Sequence, residues 1–203
     1  PDGLAMTLPT PPALILASAS PRRRELLAAW GYAFQAVDPA VDEASFEAKA
    51  SSPTRLVELL AEAKAQAVRK QVRAGVILAA DTVVAVEDKV YGKPADRAQA
   101  ANTLRALSGK AHAVLTGICV MEAKTGKARA AHAVSHLKMK RLSESEIRDY
   151  VATGEPIGKA GAYAIQETGD RWVTLQEGSR TNVIGLPEEL VRPMLAEAGV
   201  EPA

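Results

Sequence analysis

Apolar and polar residues follow one another along the chain in patterns that predict strands and helices in turn. The uninterrupted apolar run at 13–17 is typical of a buried strand, and Ser20 then begins a helix with an apolar face. Ser52 begins a longer helix whose apolar residues recur at helical spacing. The apolar run at 76–86 predicts a second buried strand with one acid in its middle.

The middle of the chain continues these patterns. A helix is predicted at 95–108, and stretches rich in β-branched residues at 113–120 and 130–140 predict two strands. Ser143 opens a capping box, in which a serine and a glutamate three residues later satisfy backbone N–H groups at the start of a helix.

The last part of the chain predicts a pair of short strands and then a helix. The strands are expected at 172–175 and 181–184, and the helix begins near Pro187. Pro193 is expected to kink or restart this helix because proline cannot donate a backbone hydrogen bond. The order of all these elements indicates an α/β fold with a mixed sheet.

Composition narrows the classes of function. The length of 203 residues predicts one domain or two closely packed lobes, after a flexible leader at 1–12. The formal net charge of +1 argues against a surface that coats nucleic acid. No apolar run approaches the roughly 20 residues that a membrane helix needs. Cys119 is the only cysteine, so a reducing compartment, the cytoplasm, is expected.

The segment 18–24, between the first predicted strand and its helix, combines two serines with three arginines. The N-terminus of a helix attracts anions because its first backbone N–H groups have no partners within the helix. Ser18 and Ser20 add hydroxyl donors, and a guanidinium can bind phosphate with two hydrogen bonds. One interpretation is a phosphate site, and the other is a capped helix with solvated arginines.

Asp81 lies inside the apolar pattern of 76–86. An ionised acid in such a strand costs several kcal/mol unless it is paired, bound to a metal or placed at an exposed strand end. A carboxylate at the carboxyl end of a strand is a common functional group of open α/β sheets. Asp81 is therefore a candidate functional acid, and the alternative is a strand-end residue bonded to backbone N–H groups.

Two lysines and a pair of acids could also serve a phosphate or metal site, although each of them has an ordinary explanation as well. Lys64 lies at the edge of the buried face of the second helix, where a lysine more commonly extends to water. Lys93 is held in a Gly-Lys-Pro turn that suits a phosphate contact or plain exposure. Asp42 and Glu43 could hold Mg²⁺, which prefers carboxylate and phosphate oxygens, or could be solvated.

Other patterns do not support a site. His132 and His136 share a face of a predicted strand, but a zinc site needs a third ligand. The Ser-Gly-Lys segment at 108–110 lacks the other glycine and the final hydroxyl residue of a P-loop. Cys119 and His112 lie in apolar strand-like sequence and do not form a credible nucleophile pair.

Taken together, the motifs resemble the Maf family of nucleotide pyrophosphatases over nearly the whole chain. The matching segments are LILASASPRRRELL (14–27), VDE (41–43), LAEAKA (60–65), AADTVV (79–84), GKP (92–94), LSGKAH (107–112), TG (116–117), YVATGEP (150–156), KAGAYAIQ (159–166) and NVIGLP (182–187). One such motif would be weak, whereas ten in the same order are specific.

The resemblance implies a fold, an activity and a cofactor. The fold is α/β and similar to that of inosine-triphosphatase-type enzymes, with a mixed, bent sheet flanked by helices and two lobes around a cleft. A single catalytic domain would span 13–200. The implied reaction hydrolyses a nucleoside triphosphate to the monophosphate and pyrophosphate with a divalent metal, Mg²⁺ or Mn²⁺. The resemblance also implies a homodimer.

Residue by residue, the resemblance implies roles at the matching positions. Asp81 matches the proton-accepting acid of the family, and Glu43 with Asp81 matches its metal side. The phosphate-binding positions are matched by Ser18, Arg23, Lys64 and Lys93.

Arg22, Thr82 and Gln166 match the positions that separate the substrate classes of the family. The branch that acts on dTTP and UTP has Ser-Pro-Arg, Asp-Thr and Ile-Gln there, as this chain does, and modified pyrimidine triphosphates are often attributed to it. After Gln166 that branch usually continues Gly-x-Gly, whereas this chain has Glu167-Thr168-Gly169. The departure bears on base preference because glycine permits backbone conformations and close approaches that other residues do not.

Two other functions stand as alternatives. The older name of the family, septum-formation inhibitor, implies a regulator of cell division that binds nucleotide and a protein partner, although a pure binding module has no need of Asp81. A nucleic-acid binder that uses the arginine cluster is disfavoured by the net charge.

Overall fold

The computed structural model describes residues 13–47, 49–87 and 89–203, so the leader predicted at 1–12 lies outside the described residues. The strands are β1 (Leu14–Ala17), β2 (Phe34–Val37), β3 (Val76–Val86), β4 (Lys89–Tyr91), β5 (Ala111–Glu122), β6 (Ala128–Met139) and β7 (Val173–Glu177). The helices are α1 (Pro21–Ala29), α2 (Ala44–Glu47), α3 (Pro53–Arg69), α4 (Arg97–Leu107), α5 (Glu144–Ala152), α6 (Arg180–Ile184) and α7 (Glu188–Glu197). The single-domain boundary at 13–200 stays a prediction.

The strands form one seven-stranded mixed sheet, as predicted. Six of them lie in the order β2-β1-β3-β5-β6-β7, and β4 pairs with β3. β1 runs parallel to both β2 and β3, whereas the remaining pairs are antiparallel. The buried apolar run of β3 fits its central place, because a strand with neighbours on both edges and helices on both faces is apolar on both sides.

One edge of β3 is paired with different strands at its two ends, and we call the stretch between them, residues 80–83, the fork of the sheet. β5 pairs along one edge of β3 over 76–85. On the opposite edge, β1 pairs with 76–79 and β4 pairs with 84–86. The residues between them, 80–83, have no strand partner on that edge among the described residues. The backbone of β3 is therefore open at Asp81 and Thr82, where loops that follow β1 and β4 can approach it.

Apolar clusters pack against β3 on either side of this fork. Leu78 belongs to a cluster with α1 and α7 on one face, and Ile77 belongs to a cluster with α3 on the other. Beyond the fork, Val84 packs among buried residues of α4 and α5. Because these cores lie at the two ends of β3, the space beside the fork separates two lobes, as the family resemblance implies.

Helix α3 lies directly on β5 at Gly117. A Cβ atom built on Gly117 would lie 2.2 Å from the carbonyl oxygen of Val57, which is closer than atoms can approach. Gly117 pairs with Asp81 across the β3–β5 ladder. The missing side chain therefore lets α3 settle onto the sheet at the position of the buried acid.

Three local expectations are confirmed and one is wrong. The capping box at Ser143 is present, Ser52 accepts a hydrogen bond from the N–H of Arg55, and Ser20 stands at the N-cap position of α1. The strand expected at 181–184 is instead the short helix α6, which begins where the Ser179 hydroxyl accepts from the N–H of Asn182. Helix α7 runs from Glu188 to Glu197 with Pro193 inside it, so it does not restart there, and the kink that was the other expected outcome stays a prediction.

The described residues include no helix long and apolar enough to cross a membrane.

Candidate active site

A cleft of about 840 Å³ opens beside the fork of the sheet. Thr82 and Val84 of β3 form part of its wall, together with the β1–α1 junction, the loop at 38–41 and the segments 157–160 and 163–167. The cleft thus collects the arginine-rich junction and the ends of several strands in one concave surface, which is the usual form of a small-molecule site.

Arg23 is the buried cation of the α1 side of this cleft, with 6% of its surface exposed. Its Nε donates to the carbonyl oxygen of Gly185 at 2.7 Å, and its Nη2 donates to Thr82 Oγ1 at 3.0 Å. Burial lowers the pKa of Arg23, although the charge of Asp81 opposes this. None of the described carboxylates lies within 4.0 Å of the guanidinium. A buried charge without a contacting counter-ion is costly, so the arrangement favours an anionic ligand.

Ser18 is buried beside Arg23 and receives two hydrogen bonds. Its Oγ accepts from the backbone N–H of Ser20 at 3.1 Å and from Nη1 of Arg23 at 3.4 Å. Ser20 stands at the N-cap position of α1 but makes no side-chain cap hydrogen bond. The serine that organises the helix start is therefore Ser18, and the first backbone N–H groups of α1 border the cleft.

On the face of β3 opposite to Thr82 and Arg23, Asp81 forms an ion pair with a lysine. Lys64 Nζ lies 2.5 Å from Asp81 Oδ1, and the two residues are 5% and 2% exposed. The lysine comes from α3, which the absent side chain of Gly117 allows to lie close to the sheet. Lys64 therefore does not extend to water, which is the commoner outcome for its position, because it forms this ion pair.

Glu43 links the buried pair to the cleft. Its Oε1 lies 2.7 Å from Lys64 Nζ and 3.5 Å from Lys93 Nζ. Partial burial favours the neutral acid, but the two ammonium groups outweigh it and lower the pKa of Glu43. Burial and the neighbouring Lys64 lower the pKa of Lys93. Asp42, the other acid of the predicted pair, is exposed.

The carboxylates of Asp81 and Glu43 converge on one ammonium group, which shows that this place can hold a positive charge between them. The described residues contain no group of three or more potential metal ligands. Mg²⁺ is commonly held by one or two carboxylates together with phosphate oxygens and water. The two acids therefore fit a divalent metal that arrives with a phosphorylated ligand.

Arg22, Gln166 and Glu167 also line the cleft. Burial lowers the pKa of Arg22, and the charge of Glu167 opposes this more than any other group does. Glu167 Oε2 lies 3.1 Å from Nζ of Lys159. The side chains of Arg22 and Gln166 make no hydrogen bond within the described residues.

Three residues of the site were not singled out from the sequence. Thr116 and Asn182 are fully buried polar residues behind Arg23, on its side away from the cleft. Lys159 forms an ion pair with Glu167. The first two lie in the short Maf-like motifs, but nothing in their spacing distinguishes a buried hydrogen-bonding residue from an exposed one.

Comparison with known proteins places the chain in a family. A family model described as "Maf-like protein" matches residues 13–198. A "dTTP/UTP pyrophosphatase" of Pelotomaculum thermopropionicum is 45% identical over 186 residues, which cover 92% of this chain and 96% of the relative. Proteins of the same description match in Moorella thermoacetica, with 45% identity over 93% of this chain and 96% of the relative, and in Desulforamulus reducens, with 43% over 93% and 97%. The chain therefore belongs to the Maf-like protein family.

Proposed function

We propose that this chain hydrolyses dTTP and UTP to the nucleoside monophosphate and pyrophosphate. The observation that supports this most is the buried guanidinium of Arg23, which lies at the wall of a cleft beside a paired acid and contacts none of the described carboxylates. Relatives described as dTTP/UTP pyrophosphatases span nearly the same length. The pyrimidine triphosphates are assigned through those relatives.

The cationic groups of the cleft would bind the triphosphate. Arg23, Lys93 and the start of α1 supply positive charge, and Ser18 orients both the backbone and the arginine. Phosphoryl chemistry depends mainly on positioning and on neutralising charge in the transition state. These groups therefore account for binding and for part of the catalysis.

Asp81 would accept the proton of the attacking water. In the structure its carboxylate is occupied by Lys64, which also contacts Glu43. Binding of an anionic phosphate gives the ammonium group of Lys64 a competing partner. A shift of Lys64 toward phosphate would leave Asp81 ionised and able to act as a general base.

Glu43 and Asp81 would hold a Mg²⁺ or Mn²⁺ ion in the complex with substrate. When bound, such an ion withdraws charge from phosphate oxygens and helps to orient them. Lys64 and Lys93, which both contact Glu43, keep this carboxylate ionised in the absence of the ion.

Arg22, Thr82 and Gln166 would discriminate among bases. All three line the cleft, and Gln166 is exposed to it. Glu167, which stands where the related branch usually has glycine, is held by Lys159 at the same end. The whole chain would act in the cytoplasm as a homodimer. Regulation of cell division is the less favoured function, because it gives the Lys64–Asp81 pair no task.

The test is turnover by the purified protein with Mg²⁺ and a panel of dTTP, UTP, CTP, GTP and 7-methyl-GTP, with monophosphate and pyrophosphate both measured. We expect pyrophosphate with dTMP or UMP. The variant Asp81→Asn should lose at least about a hundredfold in kcat, the usual scale of general-base catalysis, and keep its circular dichroism spectrum. Asp149→Asn, an exposed acid on α5, is the matched control and should turn over normally.

Release of orthophosphate would show that a different bond is cleaved. Near-normal turnover in Asp81→Asn would contradict the role of this acid. Absence of turnover in the folded wild-type protein would move the assignment to nucleotide sensing.

A further inference from the structure

A line of buried hydrogen bonds runs from Arg23 into the protein. Nη2 of Arg23 donates to Thr82 Oγ1, which lies 2.9 Å from Thr116 Oγ1. The Thr116 hydroxyl in turn donates to the carbonyl oxygen of Asn182 at 3.0 Å. Thr116 is 0% exposed and faces Thr82 across the β3–β5 ladder. It touches the cleft only through Thr82.

The chemistry of the groups fixes the direction of every bond in this line. A carbonyl oxygen only accepts and a guanidinium only donates, whereas a hydroxyl has a single proton. Thr116 donates its proton to the carbonyl oxygen of Asn182. The proton between the hydroxyls of Thr82 and Thr116 therefore belongs to Thr82. The oxygen of Thr82 is then an acceptor toward Arg23, with no proton left for any other partner.

Two routes of hydrogen bonds anchor Arg23 to the short helix α6 and to Gly185, the residue that follows it. Its Nε donates directly to Gly185, and its Nη2 reaches Asn182 through the two threonines. A Cβ atom at Gly185 would lie 3.3 Å from Thr82 Oγ1 and 3.4 Å from Arg23 Nε, and the φ of +120° there also favours glycine. The plane of the guanidinium is thus set by α6 and its last turn.

We propose that Thr116 is a positioning residue that fixes the polarity of Thr82 and so holds the Arg23 guanidinium in its phosphate-binding orientation. The inference rests on the proposed function only for its kinetic consequence. Without the acceptor at Thr116, the Thr82 proton can rotate toward Arg23, where two donors would oppose each other. Arg23 would then lose one of its three hydrogen bonds, although none of its own atoms has changed.

The test compares Thr116→Val with Thr116→Ser. Valine has nearly the shape of threonine without the hydroxyl, whereas serine keeps the hydroxyl without the methyl group. We expect Thr116→Val to raise KM for UTP about tenfold, which is the effect of losing one hydrogen bond to a charged group, with a smaller change in kcat. Thr116→Ser should restore KM to within about twofold of the wild-type value.

Ser135→Ala is the matched control. Ser135 is also fully buried and its Oγ accepts from the side chain of Asn182 at 2.8 Å, but its hydrogen bonds within the described part of the chain go to Ser179 and Asn182 and not to Thr82 or Arg23. A general loss of stability around Asn182 would affect this variant as well. We expect a lower melting temperature in Ser135→Ala with an unchanged KM.

A second readout does not depend on turnover. In the NMR spectrum, hindered rotation should keep the Nη signals of Arg23 apart, with the assignment made by their loss in Arg23→Lys. We expect these signals to merge in Thr116→Val and to stay separate in Thr116→Ser and Ser135→Ala. Inorganic tripolyphosphate should bind the wild type and Thr116→Ser more tightly than it binds Thr116→Val.

Equal behaviour of the valine and serine variants, in either readout, would overturn the proposal, because it would assign the effect to the methyl group. An unchanged Arg23 signal and an unchanged tripolyphosphate affinity in Thr116→Val would overturn it too. If the wild type fails to hydrolyse nucleotides, the proposed function fails, and the NMR and tripolyphosphate measurements still decide the role of Thr116.

Discussion

Arg23 and Lys64 approach the central strand β3 from opposite faces, and the two cationic side chains have different kinds of partner. Lys64 contacts two carboxylates, whereas Arg23 is held by a carbonyl and two hydroxyl oxygens. The lysine can exchange one anionic partner for another when a ligand enters. The arginine has no carboxylate to give up, so an incoming anion adds to its interactions. Under the proposed function, the two cations would therefore suit different steps, with Arg23 binding the ligand first and Lys64 responding to it.

His112 provides a prediction about stability and pH. It is buried, its Nε2 lies 2.7 Å from the hydroxyl of Tyr163, and burial lowers its pKa from 6.5 to about 4. The unfolded chain therefore binds the proton more readily between these values, and the native state loses stability as the pH falls. From pH 7 to pH 5 this amounts to about 2 kcal/mol in the free energy of unfolding.

Urea unfolding at the two pH values measures the effect. His112→Gln should lower stability at pH 7 but remove most of this pH-dependent loss. His136→Gln, on the exposed side of β6, is the control and should keep the wild-type dependence. A wild-type slope that persists in His112→Gln would show that other groups cause it.

The residues that sequence reasoning could identify are those whose type conflicts with their surroundings. Asp81 stands out in an apolar strand, and the arginines stand out after one. Lys64 could not be decided, because a lysine at the edge of a helix face is buried or exposed according to how closely the helix packs. Here that distance depends on Gly117, in a strand remote along the chain. The resemblance to a family supplied what local pattern could not.

At the scale of elements, the pairing of β3 with β5 places two adjacent residue pairs on opposite faces of the sheet. Asp81 and Gly117 are partners in the ladder, and so are Thr82 and Thr116. One pair brings α3 and its lysine to the acid, and the other pair anchors Arg23. A shift of this ladder by one residue would exchange the faces and separate both sets of contacts.

Gly117→Ala tests the contact between α3 and β5. The new Cβ atom would meet the backbone of Val57 and Glu58, which cannot rotate away, so α3 must move outward. We expect a loss of about 3 kcal/mol in stability, at the upper end of overpacking effects, together with reduced turnover as Lys64 withdraws from Asp81. Urea unfolding and the UTP assay measure the two effects.

Gly92→Ala is the control for this variant, because a Cβ atom there meets nothing within 4 Å. It should retain the stability and turnover of the wild type. If Gly117→Ala behaved in the same way, the close approach of α3 would have no importance for the site.

The elements themselves were largely predictable, and the exception is instructive. The longer strands and helices up to α5 follow from apolar spacing and from caps such as Ser52 and Ser143, whereas the short elements β2, α2 and β4 were not predicted. The segment 181–184 contains β-branched residues and was expected to form a strand, yet it is helical. The Ser179 cap starts this helix, and the buried side chain of Asn182, bonded to β5 and β6, holds it. Such long-range polar contacts override local propensity.

At the scale of the whole molecule, the cleft exists because β1 and β4 meet the same edge of β3 without filling it. The opening at 80–83 separates the apolar cluster of α4 and α5 from those around α1 and α3. Each lobe supplies part of the cleft wall. The site is therefore a property of strand connectivity, and no single loop or helix contains it.

The same fork has a consequence for the order of folding. β5 and β6 are neighbours in sequence and pair as a hairpin, whereas β1 joins β3 only after α1 to α3 have been enclosed between them. Closing such a long loop costs entropy and slows the step. During refolding from urea, we expect far-UV circular dichroism to recover before UTP turnover, and simultaneous recovery would contradict this order. A refolding chain would thus hold Asp81 in a formed sheet before Arg23 reaches its place beside Thr82.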